Sequence, residues 1–555
     1  MLNKLFFKKH NALLFVFFLL LTTLALREMI LLSYLNDEWI QYGLVQIHGW
    51  TAELFKFSWL GIVLGPARPL GTIVNNLFFL HLPFQAWPFF VWALIFHSLN
   101  GVLCYALSYK LSKNRRIAMI CSLFFVTSSV SYQTFSWLAA TVQGVASTTF
   151  ILLTVYLFLL FLESYKKRFL LYTVLSLYVA VLFKDSSVFV LLALPVLFVL
   201  FPTRPIAKKV IFSIIIPSVL VIVAFGVYRV ALSMTGFEHR FVQLGTNAVL
   251  YPYLSLSHFF IPFRFMYRMA ETFEKMMYPT IVNIMTNENV TLLAYTMVSD
   301  VLSILGSIIG TCIVLILYIK RSIDRKTILF AAIFYLLCFL PIAFYLDHRN
   351  ASYVESRYLY LMNFPIGLLL GCALEFLFEK IKLYKKIVMR LCLIGLYTIV
   401  GIFFVKNIQV TQREITDSVR QGEAVTSAVK AMKKKWKTLP DKAIVYLEGD
   451  RFFYHPTLKV PFQLGPGFMM MVVYYDTGTI PKELIDSWFL LSVSEEGYRE
   501  VSSQAFGYFY EISELQEFLS KNPHIATKQI VGMRFDSNTG EFIDITDRVI
   551  RDIVQ

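Results

Sequence analysis

Long apolar runs broken by short polar stretches fill the first 406 residues, and the pattern changes sharply after that. A helix needs about 20 apolar residues to cross the hydrocarbon of a bilayer. Runs of that kind fall near 11–33, 87–109, 116–131, 137–162, 169–183, 187–202, 210–231, 292–319, 327–346, 358–378 and 387–406. They predict a mainly α, polytopic membrane helical bundle of about eleven spans. Two further apolar pieces, Glu53–Leu64 and Arg68–His81, are too short to span and end at Pro66 and Pro83, which predicts helices lying along the interface. From about Asn407 the chain becomes polar. Thr411–Trp436 reads as an amphipathic helix, Lys442–Glu448 as a strand, and Gln529–Thr546 as a hairpin turning at Asn538, Thr539 and Gly540. The run QLGPGFMMM (463–471) reads as a tight turn before an apolar strand. The expected organisation is a transmembrane domain over 1–406 and a soluble α/β domain over 407–555, a tail long enough for its own core.

Composition agrees with a membrane protein: 57% of the 555 residues are hydrophobic and only 16% charged, which excludes an ordinary soluble globule. The net charge of +15 does not call for nucleic acid. Its basic residues concentrate in the short connections Lys110–Arg116, Lys166–Arg168, Arg204–Lys209, Lys320–Lys326 and Lys380–Lys386. With a cytoplasmic amino terminus, all five lie on the inner side, as the positive-inside rule requires. An odd number of spans then puts the tail outside a cytoplasmic membrane. Lys4, Lys8 and Lys9 before an apolar run resemble a signal peptide, but no small-x-small site follows, so an uncleaved first span is expected. The six cysteines sit in apolar stretches without CxxC spacing and read as small buried hydrophobes.

On this topology the outer connections collect polar groups that a mere linker does not need. The first supplies Asp37, Glu38, His48, Arg68 and His81; later ones supply Lys184, Asp185, His258, Arg264, His348, Arg349, Glu355 and Arg357. A carboxylate with several cations near the interface suits an anionic, lipid-linked substrate: a base for the acceptor and positive charge for the phosphate.

Several stretches in order carry a family resemblance: the acidic pair after span one within NDEW, ARPLGTIVNNLFFL (67–80), FHSLNGVLCYAL (96–107), LFKDSSVFVLLALPVL (182–197) and ESRYLYL (355–361). Over residues 11–406 the chain resembles the GT-C superfamily of membrane glycosyltransferases, and most closely the transmembrane O-mannosyltransferases with tetratricopeptide tails. It departs from them in having no tetratricopeptide array and an Asp-Glu pair where two aspartates are common. The resemblance implies transfer of a sugar from a polyprenyl-phosphate donor, with inversion, to a protein, lipid or glycan acceptor. It also implies that one of Asp37 and Glu38 is the base, Asp37 by position. Some members of the superfamily use a divalent metal, so magnesium or manganese bridging the pair is the cofactor left open.

Each candidate has a plainer reading. The acidic pair also fits an ordinary charged loop entrance. Arg357 suits bidentate capture of phosphate or a snorkelling anchor, and Tyr358 and Tyr360 fit belt aromatics. Arg68 either holds phosphate or ties the first loop to a neighbour by pairing with an acid. Lys184 with Asp185 forms an internal ion pair or meets the ligand. Arg264, His348 and Arg349 are weaker phosphate candidates. The outer tryptophans, Trp39, Trp50, Trp59, Trp87 and Trp137, read mainly as a membrane belt, with an aromatic floor for a sugar ring as the other reading, and His48, His81, His97 and His258 as satisfied interfacial histidines. Besides a membrane-anchored structural or sensing protein in which the outer α/β tail does the binding, the main rival class is a transporter or flippase for lipid-linked sugars. It predicts ionisable groups near the midplane and paired halves, whereas here the span interiors are apolar apart from Asn75, Asn76 and Asn100, and no two-fold repeat is seen.

Overall fold

The computed structural model describes residues 9–35, 37–52, 68–202, 220, 223, 252–253, 255–259, 269, 272, 287–320, 324–343, 356–449, 466–485, 487–491, 495–536 and 538–554. Nearly all of the expected span at 210–231, the expected interfacial helix at 53–64, Trp59, Arg264, His348, Arg349 and Glu355 lie outside the described residues, as does the side chain of Asp37.

The described chain is mainly helical. Helices α1 (Lys9–Leu26), α2 (Asp37–His48), α3 (Pro69–His81), α4 (Trp87–Ser112), α5 (Arg115–Thr127), α6 (Leu138–Ser164), α7 (Lys167–Phe183) and α8 (Ala193–Leu200) come first. They are followed by α9 (Asn287–Lys320), α10 (Arg325–Ala343), α11 (Asn363–Ile381) and α12 (Lys386–Lys435). Among the described residues, five segments are long and apolar enough to cross a membrane: Ala12–Leu31, Trp87–Ser112, Leu138–Ser164, Val301–Lys320 and the helix from Lys386. Other expected spans are helices in place but shorter, such as the 13 residues of α5 and the 17 of α7. The segment read as a span over 187–202 is a 3-10 helix, Asp185–Leu192, running into α8. Pro195 has no N–H to give the carbonyl one α-turn earlier, which favours the tighter winding just before it.

The bundle is packed around α4 and α6. Helix α5 lies between α4 and α11, and α7 packs along α6. Helix α3 is present as expected, with one face buried, including Asn75 and Asn76. Asn75 donates to the Ala139 carbonyl at 2.9 Å, and Asn76 to those of Trp50 and Ala52 at 2.9 and 3.0 Å. Two glycines one turn apart on α11 permit its close crossing with α5. A Cβ at Gly367 would stand 2.9 Å from the Cys121 carbonyl oxygen, and one at Gly371 2.8 Å from that of Ile117.

The expected boundary near 406 falls inside a helix. The apolar run 387–406 and the amphipathic run 411–436 form one helix of 50 residues, about 75 Å long at 1.5 Å per residue. Asn407–Val410 contain neither proline nor glycine, so nothing stops the winding. Beyond it stands a five-stranded sheet of order β2-β3-β1-β4-β5, with β1 (Ile444–Gly449), β2 (Gly497–Val501), β3 (Gln504–Phe509), β4 (Ile530–Asp536) and β5 (Glu541–Asp544). Central β1 is parallel to both neighbours, with Ile444 opposite Gly507 and Ile530, while β2 and β5 are antiparallel edges. The β4–β5 hairpin turns where expected, with Gly540 at φ 69°. The expectation for QLGPGFMMM is corrected: Pro466–Tyr474 is helix α13, because a proline at the first helical position starts a helix rather than a strand. α13 packs on both β3 and α2, so the tail reaches the helix that begins at Asp37. α14 (Ile512–Lys521) and α15 (Thr546–Val554) complete the tail.

Replacing Gly371 by valine forces branched carbons against the α5 backbone and is expected to destabilise the bundle by about 1–3 kcal/mol. Thermal unfolding of detergent-solubilised protein measures this, and an unchanged midpoint would mean the α5–α11 contact is looser than described.

Candidate functional site

The stretch ARPLG is explained by three contacts. Arg68 precedes Pro69, the first residue of α3, and adopts a left-handed backbone (φ 43°, ψ 48°). That region is costly for a residue with a Cβ, on the order of 1–3 kcal/mol. Its side chain holds it there: Nε donates to Asp185 Oδ1 at 2.9 Å and an NH to Gln143 Oε1 at 3.2 Å. Asp185 is 2% exposed and opens the 3-10 helix, so the pair ties α3 to the corner after α7, and Gln143 adds α6. Gly71, one turn on, lies so close that a Cβ would meet Gln143 Cγ at 2.6 Å and the Phe183 carbonyl at 3.0 Å.

Of the acidic pair, Glu38 is 1% exposed. One of its oxygens accepts the N–H of Ala139 at 3.1 Å and the other that of Leu35 at 3.4 Å. Ala139 is in the first turn of α6, whose leading N–H groups have no partner within the helix, so Glu38 ties α2 to that helix start. Position 37 opens α2 and stands one turn before Gln41 on the same helix face.

Gln41, Arg68, Gln143, Lys184, Arg357 and Tyr358 line a cavity of about 150 Å³ whose floor is the start of α6, Ala139–Gly144. Arg68, Gly144, Lys184, Arg357 and Tyr358 also line a second cavity, of about 100 Å³, which runs on between α6, the 3-10 helix and α10. Its far wall is apolar, with Ile151, Phe189, Val190, Phe334 and Leu337. The two are lobes meeting at the three cations. Arg357, on the turn Ser356–Leu359, lays its guanidinium 3.6 Å from the centre of the Trp137 ring and donates to the Tyr358 hydroxyl at 3.4 Å. Lys184 lies 5.6 Å from the centre of the Tyr358 ring. Burial, and then the charge of Arg68, push the Lys184 ammonium down to about 8, with Asp185 pulling the other way and Arg357 adding to the depression.

Several sequence readings are thereby decided. Arg68 pairs with an acid while still lining the cavity. Tyr360 is no belt residue: its buried hydroxyl lies 2.6 Å from His97 Nδ1 and accepts from Asn100 at 3.1 Å. His97 is buried rather than interfacial, with Nε2 3.1 Å from the Val126 carbonyl. Trp39 and Trp137 are buried too, whereas Trp50 and Trp87 remain exposed. Gln41, Gln143 and Gly144 escaped notice because uncharged residues carry no chemical signature, although Gln41 was traceable by its spacing of four from Asp37; Trp137 was singled out, but mainly as a belt residue.

Among the described residues, no three His, Cys, Asp or Glu side chains gather as a metal-holding group. Among the described residues, the carboxylates near the cavity, Glu38 and Asp185, do not fit a divalent ion either. Glu38 oxygens receive backbone N–H groups and Asp185 receives a guanidinium, and the cavity carries three cations. A hard cation needs several oxygens facing it. A scan against protein-family models and a search of curated proteins find no match for this chain.

Two outcomes follow from this geometry. Arg68→Ala takes the guanidinium from a buried carboxylate and should cost about 3 kcal/mol, most of it recovered in Arg68→Ala/Asp185→Ala; additive losses in thermal unfolding would count against the pair as the tie. Lys184 loses its proton as pH rises through about 8, so affinity for a phosphate anion should fall across pH 7–9. Arginine keeps its charge there, so Lys184→Arg should flatten that fall in a binding titration.

Proposed function

We propose that the chain is a membrane glycosyltransferase of GT-C type, which takes a sugar from a polyprenyl-phosphate donor and transfers it to an acceptor hydroxyl on a protein, lipid or glycan. The observation that carries this reading is the meeting of Arg68, Lys184 and Arg357, from three separate parts of the chain, at one cavity with an apolar lobe. A phosphate on a long hydrocarbon needs that combination: fixed positive charge beside an apolar wall.

The carboxylate of Asp37 takes the proton of the acceptor hydroxyl. The acceptor oxygen then bonds to the anomeric carbon from the face opposite the phosphate, and the bond from that carbon to the phosphate oxygen breaks with inversion. Polyprenyl phosphate departs with the electron pair, its added negative charge held by the two arginines and Lys184. Glu38 is a positioning residue that sets α2 against α6.

The topology belongs to the same proposal: about eleven crossings of a cytoplasmic membrane, the amino terminus inside, and the tail and cavity outside. Helix α6 supports it. Its first turns floor the cavity, while Glu163 near its other end, about 40 Å away over 27 residues, pairs with Lys110 of the basic connection at 2.6 Å.

The test is sugar transfer from defined polyprenyl-phosphate sugars in membranes holding the wild type, Asp37→Asn, Glu38→Gln or Arg357→Ala. Asp37→Asn and Arg357→Ala should each lower transfer at least 100-fold, and Glu38→Gln should lower thermal stability as well as activity. Full transfer by all three variants would refute the site. A wild type that moves the lipid across the bilayer without transferring sugar would establish the flippase instead.

A further inference from the structure

We propose that the polar lobe of the cavity is a sugar subsite for a neutral, hydroxyl-bearing ring, read by Gln41 and Trp137. This deepens the glycosyltransferase reading and rests on it. The lobes differ in chemistry. Beyond the three cations, one wall is apolar; the other offers, among the described residues, only Gln41, Thr134, Trp137, Gln143 and the alanines at the start of α6, none of them charged. If the phosphate sits at the cations and its hydrocarbon runs along the apolar wall, the group on the other side of the phosphorus falls in the lobe lined by Gln41 and Trp137.

Two polar atoms there are unsatisfied. Gln41 Oε1 and Trp137 Nε1 are buried and have no hydrogen-bond partner among the described residues. Trp137 as a whole is only 6% exposed, and the Arg357 guanidinium covers one face of its ring, so its N–H is the polar group the residue has left to pair. One is an acceptor without a donor and the other a donor that cannot accept. A sugar hydroxyl can serve either, whereas a carboxylate could serve only the tryptophan and would confront Gln41 with a second acceptor. A site built to bond a hydroxyl discriminates strongly against a ligand that lacks it, because its own polar groups are then left unpaired.

The experiment measures binding of a short-chain polyprenyl phosphate, bare or carrying a glucosyl or a mannosyl group, to the purified full-length protein. The wild type should bind at least one hexosyl carrier about tenfold more tightly than the bare one. Trp137→Phe keeps a ring under Arg357 but removes the N–H, and Gln41→Met keeps length but removes the amide. Each should erase most of that gain and leave the bare carrier's affinity unchanged, the two variants serving as independent checks should one fold poorly. Equal wild-type affinity for bare and hexosyl carriers, a gain that survives both substitutions, or losses shared by the bare carrier would overturn the subsite while sparing the phosphate site. Failure of the wild type to bind any carrier would overturn the glycosyltransferase reading, and the subsite with it.

Discussion

The arrangement depends first on the ion pair between Arg68 and Asp185. A carboxylate that is 2% exposed is costly to bury unpaired, and the guanidinium 2.9 Å from it belongs to a residue whose own backbone is held in a costly left-handed turn. Each half makes the other tolerable. Since Arg68 caps α3 and Asp185 follows α7, the pair sets where those elements meet, and the reach to Gln143 brings in α6. Gly71 is then a consequence: α3 lies so near α6 and the end of α7 that no side chain fits. Pro69 completes the corner by starting the helix directly.

This pairing also explains how three cations stand together at one cavity. Arg68 is partly neutralised by Asp185, Arg357 spreads its charge over the Trp137 ring, and the depressed Lys184 can release its proton most readily of the three. The strain and the desolvation are concentrated where a ligand would relieve them. Three cations fixed in place by the fold form a preorganised positive site, which favours whatever state carries the greatest negative charge there.

How much of this the sequence disclosed depended on the scale of the signal. Apolar runs at 87–109 and 137–162 became α4 and α6, because a helix of membrane length is written in many residues at once. The hairpin at Asn538–Gly540 was equally plain from its turn residues. Local punctuation was harder: GPG near 465 suggested a turn, yet Pro466 opens α13, and the 3-10 helix after Asp185 depends on a proline ten residues further on. At the site, the charged residues Arg68, Lys184 and Arg357 stood out as candidates, but their choice between phosphate and a protein partner depends on distances that no spacing records. Tyr360 and His97 were misjudged for the same reason. An aromatic or a histidine near a span end looks the same on paper whether it meets lipid headgroups or a buried asparagine.

The tail bears on the same geometry. Helix α12 passes so close to the connection between α1 and α2 that a Cβ at Gly422 would stand 3.0 Å from the Ser33 carbonyl. Lys433 near its end donates to the Val473 carbonyl at 2.8 Å and pairs with Asp476 at 2.9 Å, while the Tyr474 hydroxyl donates to the Trp436 carbonyl at 2.8 Å. These contacts fix α13, and α13 packs on α2. The helix that begins with the acidic pair is therefore held on two sides: from the bundle by Glu38 at the start of α6, and from the tail by α13. A helix of only 12 residues has little stability of its own in water, so its position is set by these two supports. The tail thus acts on the cavity through packing: without α13, α2 would lose one of the surfaces that hold Gln41 in the cavity wall.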